Sequence, residues 1–152
     1  MKHKKGDLLR LALDGEFDVI VHGCNCFCAM GAGIAKQIRT TFPQAYDADL
    51  ATPSGDKSKL GTYSKAKVET KSGHFYVING YTQYHYADDG VLADYKAIEK
   101  LFSRLKLDFN GKRIGYPKIG AGLAGGDWKA ISKIIDNSLK GEDHTLVEFS
   151  AE

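Results

Sequence analysis

The chain has 152 residues, 43% of them hydrophobic, which is enough for one ordinary core and too little for two. Its 21 basic and 19 acidic side chains leave a net charge of +2, with lysines scattered from Lys2 to Lys140, a balance that argues against the concentrated basic face of a dedicated nucleic-acid binder. No stretch approaches the roughly 18 apolar residues of a membrane span, and the first twenty residues carry charge where a signal peptide needs an apolar core. A single domain over 1–152, intracellular and cytoplasmic and acting as a monomer, is the expectation. The three thiols, Cys24, Cys26 and Cys28, agree with it, since an odd number cannot all pair internally.

In chain order, the few residues before Asp7 leave room for only a minimal first strand. Phe17-Asp-Val-Ile-Val21 is a short β-branched run that reads as a central strand. From Gly31 to Phe42, Ile34, Ile38 and Phe42 recur at four-residue spacing, predicting a helix that Pro43 should stop. Thr62–Thr70 and His74–Tyr84 are rich in β-branched and aromatic residues, and the Lys71-Ser-Gly73 turn between them predicts an antiparallel hairpin. Val91–Leu107 carries Leu92, Tyr95, Ile98, Leu101, Phe102 and Leu105 at helical spacing, with Tyr95, Phe102 and Leu105 assigned to packing alone. Arg113–Tyr116 is another short strand. The glycine-rich run Lys118–Gly126 then leads through Asp127 into a helix from Trp128 to Leu139, and His144–Phe149 closes as a strand. Strand, glycine loop and helix thus occur twice, so a mixed, mostly parallel sheet with helices on both faces is predicted.

Two glycine loops, each leading from a strand into a helix, carry the functional reading. Glycine lets backbone N–H groups approach phosphate oxygens without an intervening side chain, and the helix that follows adds a positive dipole end. A tight turn with no ligand is the alternative for either loop taken alone. The familiar phosphate signatures are absent. Gly31-Ala-Gly33 lacks the third glycine of a dinucleotide fingerprint, and there is no G-x-x-x-x-G-K-[ST] run. Met30, Ala32 and Ile34 stand six residues after the three cysteines, so none of them opens a Cys-x5-Arg loop. The cysteine spacing of two is too tight for the usual tetrahedral zinc set, and no metal or cofactor is expected. Buried inert thiols fit better.

His22, at the carboxyl end of its strand, can pass protons near neutral pH, and Asn25 can hydrogen-bond a sugar hydroxyl or hold a water. A structural role for His22, capping backbone at the strand end, carries equal weight. Asp127 is placed to cap the last helix; it is otherwise the carboxylate that the second loop would offer a ligand.

Lys5-Gly-Asp-Leu8, His22-Gly-Cys-Asn-Cys26, Met30-Gly-Ala-Gly-Ile-Ala35 and Pro117-Lys-Ile-Gly-Ala-Gly-Leu123, in that order and spacing, resemble the macrodomain family over nearly the whole chain. The resemblance is greatest to the branch that holds the yeast-type ADP-ribose 1''-phosphate phosphatases and the deacylases that release ADP-ribose from acidic side chains. It implies a three-layer α/β/α fold and a small-molecule ligand, ADP-ribose or a derivative. In that family Asp7 corresponds to the acceptor of the adenine amino group, with Leu8 supplying neighbouring backbone. Asn25 falls near the distal ribose, and Met30, Gly31, Ala32, Gly33 and Ile34 form the first phosphate and ribose loop. Gly120, Ala121, Gly122 and Leu123, backed by Ala124 and Gly125, form the pyrophosphate loop.

Two departures bear on activity. The deacylase lysine expected after the strand ending near Asn79 is missing from Asn79-Gly-Tyr-Thr-Gln-Tyr-His85, and the aspartate expected after the second-loop Gly-Leu is Ala124. Both point away from the lysine-dependent deacylase and toward a phosphatase or a binder without chemistry; the leading expectation is hydrolysis of the phosphate from ADP-ribose 1''-phosphate, with His22, Asn25 and Asp127 as catalytic candidates. An ADP-ribosyl hydrolase acting on modified protein, nucleic acid or acyl esters is the second reading, and a non-catalytic reader of ADP-ribose the third.

Overall fold

The computed structural model describes residues 1–87 and 90–151; Glu152, at the end of the expected domain, lies outside them. Its strands are β1 (Lys2–Gly6), β2 (Val19–Cys24), β3 (Tyr63–Thr70), β4 (Gly73–Tyr81), β5 (Ile114–Tyr116) and β6 (His144–Phe149). Its α-helices are α1 (Leu8–Leu13), α2 (Gly33–Thr41), α3 (Pro43–Leu50), α4 (Tyr95–Asp108) and α5 (Trp128–Ser138), with a short 3₁₀ turn at Lys57–Lys59. The strands form one six-stranded sheet in the order β1-β6-β5-β2-β4-β3. Every neighbouring pair is parallel except β3 and β4, whose hairpin pairs Thr70 with Gly73. This is the expected three-layer α/β/α arrangement.

β2 is apolar on both sides because both sides are covered, as parallel central strands require. On one face Val19, Val21, Ile78, Ile114 and Leu146 pack against Ile98, Leu101 and Leu105 of α4 and Ile131 and Ile135 of α5. On the other, Ile20, Phe75, Val77 and Val147 meet Leu8, Ile38 and Ala45 of the first three helices. Each of the larger of these side chains contributes on the order of 1.5–3 kcal/mol by leaving water.

Several boundaries differ from the sequence reading. Pro43 does follow a helix end, but it also opens α3: its fixed φ and missing N–H suit the first turn of a helix. α4 starts at Tyr95 rather than Val91, because Asp94 caps it by accepting from the Ala97 amide, while Ala93 bridges back to Gln83. α1 went unread; six residues are too few for a visible period, although Asp7 caps it through the Leu9 and Arg10 amides. β4 ends at Tyr81, three residues short of the predicted strand.

Candidate functional site

Because β1, β2, β4, β5 and β6 run parallel, the segments that follow β1, β2, β4 and β5 emerge at one edge of the sheet. That carboxyl edge is where open α/β sheets bind ligands. It gathers Asp7, the 25–34 segment, Gln83 and the 117–127 segment.

The first loop is clamped from within. Asn25, 7% exposed, accepts from the Phe27 amide at 2.9 Å and from the Ala29 amide at 3.4 Å, and donates to the Ala29 carbonyl at 2.8 Å. Cys28 sits in the left-handed region at φ 58° and donates its thiol hydrogen to the Asp49 carbonyl at 3.2 Å. Buried Lys59 donates to the Cys26 carbonyl at 3.1 Å. Met30 is buried, whereas Gly31, Ala32 and Gly33 are exposed. α2 then opens at Ala32 with no side chain capping it, which leaves the first-turn amides of Gly33, Ile34 and Ala35 facing out.

The second loop is held by its own backbone. Gly120 and Gly125 take φ of 75° and 70°, values that favour glycine. The Gly126 amide donates to the Gly120 carbonyl at 2.7 Å, and the Leu92 amide to the Ala124 carbonyl at 2.8 Å. Among the described residues the amides of Gly122, Leu123 and Ala124 have no protein acceptor. Leu123, 78% exposed, reaches across the crevice: its Cδ1 lies 3.6 Å from where a Cβ on Gly33 would stand. The two glycine loops therefore meet, each presenting amides without partners.

The other candidates separate into rim and interior. Asp7 spends Oδ1 on the α1 amides, while its second oxygen has no partner among the described residues. Leu8 is buried beneath it. An open groove of about 600 Å³ between α1 and α2, with Arg10, Lys36 and Thr40 on its walls, reaches Asp7 but neither glycine loop. Asp127 is exposed and caps α5 by accepting from the Lys129 amide at 3.0 Å. His22, by contrast, is fully buried, and its Nε2 donates to the Asn79 side-chain oxygen at 2.7 Å. Desolvation pushes its pKa down from 6.5 to about 4, only partly opposed by that hydrogen bond. Residues alternate faces along β2, so His22 follows Ile20 inward toward α3, a placement that favours the structural role of His22 over proton transfer. Burial likewise pushes the Cys24 and Cys26 thiols up, keeping them protonated. No cluster of three or more metal-ligating side chains occurs among the described residues.

Two further residues reach the site unread. Tyr95, assigned to packing alone, is 37% exposed, and its Oη accepts the Asp127 amide at 3.0 Å, tying α4 to the end of the second loop. Phe149 is 73% exposed at the carboxyl end of β6, paired with Gly6 and so beside Asp7. In the sequence it read only as the last residue of the closing strand.

The sequence pattern of the Macro domain family matches residues 21–135, a span that contains both loops. The chain belongs to the Macro domain family. It is 37% identical to the uncharacterized 17.5 kDa protein in the tk-vs intergenic region of Enterobacteria phage T4, over 98% of this chain and 96% of that one. It is 26% identical to the DNA ADP-ribosyl glycohydrolase of Mycobacterium tuberculosis (strain ATCC 25618 / H37Rv), over 89% of this chain and 37% of the length of that relative. The fold is that of Thermosipho africanus DarTG in complex with ADP-ribose, with a TM-score of 0.70 and 18% identity, covering 97% of this chain and 42% of that one. No helix among the described residues is long and apolar enough to cross a membrane.

Proposed function

We propose that this macrodomain binds ADP-ribose across its two glycine loops and hydrolyses a bond at the distal ribose of an ADP-ribosyl conjugate. The observation that carries the reading is the meeting of two sets of unpartnered amides at Leu123 and Gly33. Such a cradle offers two phosphates several N–H donors without a basic protein surface. Asp7 and the exposed ring of Phe149 hold the adenine, the carboxylate by its free oxygen and the ring by its face. The pyrophosphate then lies over the loops after β5 and β2, and the distal ribose lies at Asn25 and Gln83.

Water attack at the anomeric carbon C1'' breaks its bond to the leaving group, which takes a proton, while the water surrenders one. Asp127 is the group that we assign to that transfer, and Asn25 positions the loop that holds the sugar. The likeness to a DNA ADP-ribosyl glycohydrolase supports this class, and the absence of a lysine from Asn79-Gly-Tyr-Thr-Gln-Tyr-His85 supports hydrolysis without a covalent sugar adduct.

The second reading, removal of phosphate from ADP-ribose 1''-phosphate, uses the same cradle and breaks the P–O bond instead. The His22-Gly-Cys-Asn-Cys26 string favours it. Burial of His22 removes the acid-base group that this chemistry was expected to use, so the glycohydrolase reading ranks first. The deciding experiment titrates ADP-ribose calorimetrically and incubates the protein with ADP-ribose 1''-phosphate and with ADP-ribosylated oligonucleotide and peptide. ADP-ribose release from a conjugate supports the first reading, phosphate release the second, and binding without turnover a reader. Absence of binding sinks all three.

A further inference from the structure

Beside the distal end of the crevice, a set of rings is assembled that neither glycine loop needs. Phe27, from the loop after β2, packs edge-on against Tyr84 with ring centroids 4.9 Å apart, and lies 4.9 Å from His85. His85 stacks on Tyr86 at 4.8 Å with planes 15° apart, and Tyr86 is 55% exposed. The Lys57 ammonium lies 4.9 Å from the centre of the Tyr84 ring.

The rings are held in place by the backbone around them. Tyr84 Oη donates to the Gly55 carbonyl at 2.8 Å, and Gly55 has φ of 79° with a Cβ position only 3.2 Å from the Phe27 ring, so glycine keeps that contact open. His85 Nδ1 accepts from the Ala87 amide at 3.0 Å, and the His85 carbonyl accepts from the Gln83 side chain at 2.9 Å. The outer ring thus stacks on an anchored neighbour, and preorganised planar surfaces bind at low entropic cost.

We infer that the Phe27, Tyr84, His85 and Tyr86 rings form a stacking platform for a nucleobase of a single-stranded nucleic acid that carries the ADP-ribosyl group. The inference rests on the proposed orientation of ADP-ribose. With the adenine at Asp7 beside β1, the distal ribose reaches the loops after β2 and β4, and whatever is joined to C1'' leaves toward these rings. His85 and Tyr86 already stack nearly parallel, and the exposed ring accepts one further planar ring in the same geometry. Stacking is tolerant of base identity, and Lys57 beside the Tyr84 ring places a local cation at the platform within a net charge of only +2. A peptide attached through an aliphatic side chain brings no planar ring to this position.

The test measures binding of a labelled single-stranded hexadeoxynucleotide by fluorescence anisotropy, with ADP-ribose titrated in parallel. Tyr86→Ala is expected to weaken the oligonucleotide by about tenfold or more, Tyr86→Phe to retain it, and neither to change ADP-ribose affinity. With conjugates, Tyr86→Ala raises KM for the ADP-ribosylated oligonucleotide and leaves an ADP-ribosylated peptide unchanged. The platform is overturned if the wild type does not bind the oligonucleotide, if Tyr86→Ala binds it equally well, or if the peptide conjugate suffers as much as the oligonucleotide. Failure of the wild type to bind ADP-ribose overturns the proposed function instead, and with it the orientation on which the platform rests.

Discussion

His22 and Asn79 are joined at 2.7 Å in the interior of the sheet, on neighbouring strands and in register, and Asn79 in turn donates to the Ala45 carbonyl at 2.9 Å. The pair fastens β2 and β4 to α3 beneath the first loop. A histidine held neutral inside the fold binds its proton more tightly once the chain unfolds. Its contribution is therefore complete above about pH 6.5 and is lost as the pH falls toward about 4, roughly 3 kcal/mol in all. His144, whose pKa burial also lowers, adds in the same direction. Thermal unfolding followed from pH 7.5 to pH 4 should show a steeper loss in the wild type than in His22→Gln; parallel curves would show that His22 is not the group titrating.

Gly126 and Gly122 separate folding from binding in the second loop. A Cβ at Gly126 would lie 2.5 Å from the Gly120 carbonyl oxygen, so Gly126→Ala must displace backbone and should cost about 1–3 kcal/mol of stability. At Gly122 nothing lies within 4 Å. Gly122→Ala should keep the wild-type melting temperature yet weaken ADP-ribose at least about tenfold in calorimetry, because the new methyl group crowds the phosphate cradle. Unchanged affinity would remove this loop from the site.

Asp127 has two duties that one substitution can divide. Asn serves as well as Asp at a helix N-cap, whereas Ala forfeits about 1 kcal/mol. Asp127→Asn should hold its stability and lose turnover, while Asp127→Ala should lose both. Full turnover in the Asn variant would assign proton transfer elsewhere.

Phe149→Ala tests the adenine end. The ring is too exposed to support the core, so unfolding should shift by no more than about 0.5 kcal/mol. ADP-ribose affinity should fall about tenfold while ribose 5-phosphate, which lacks the adenine, is bound equally by both proteins. Equal losses for the two ligands would place Phe149 outside an adenine subsite.

The architecture was legible where one physical period dominated. The β-branched run at Phe17–Val21, the helical spacing in α4 and the two glycine loops each announced themselves through local chemistry, and together they implied a parallel sheet covered on both faces. α1 and α3 were not legible. The first is too short to show a period, and the second begins at Pro43, a residue that serves equally to end one helix and to start the next.

Which of the singled-out residues face the crevice depended on register and on what packs behind each strand. His22 reads as reactive in sequence because it stands at the carboxyl end of an apolar strand, where a side chain can enter the ligand crevice. The even-numbered residues of β2, however, turn toward α3, and burial then suppresses its charge. Tyr95 reads as core because it falls on the apolar stripe of α4, yet it stands at the first turn, beyond the sheet edge, where its hydroxyl meets the Asp127 amide. By itself the sequence determined the strands, the longer helices and the two loops rich in amides, because these follow from local backbone preferences, and the family, because its motifs stand in order along the chain. Only the tertiary structure decided that the loops meet at Leu123 and Gly33, since that contact depends on the order in which the strands pair across the sheet.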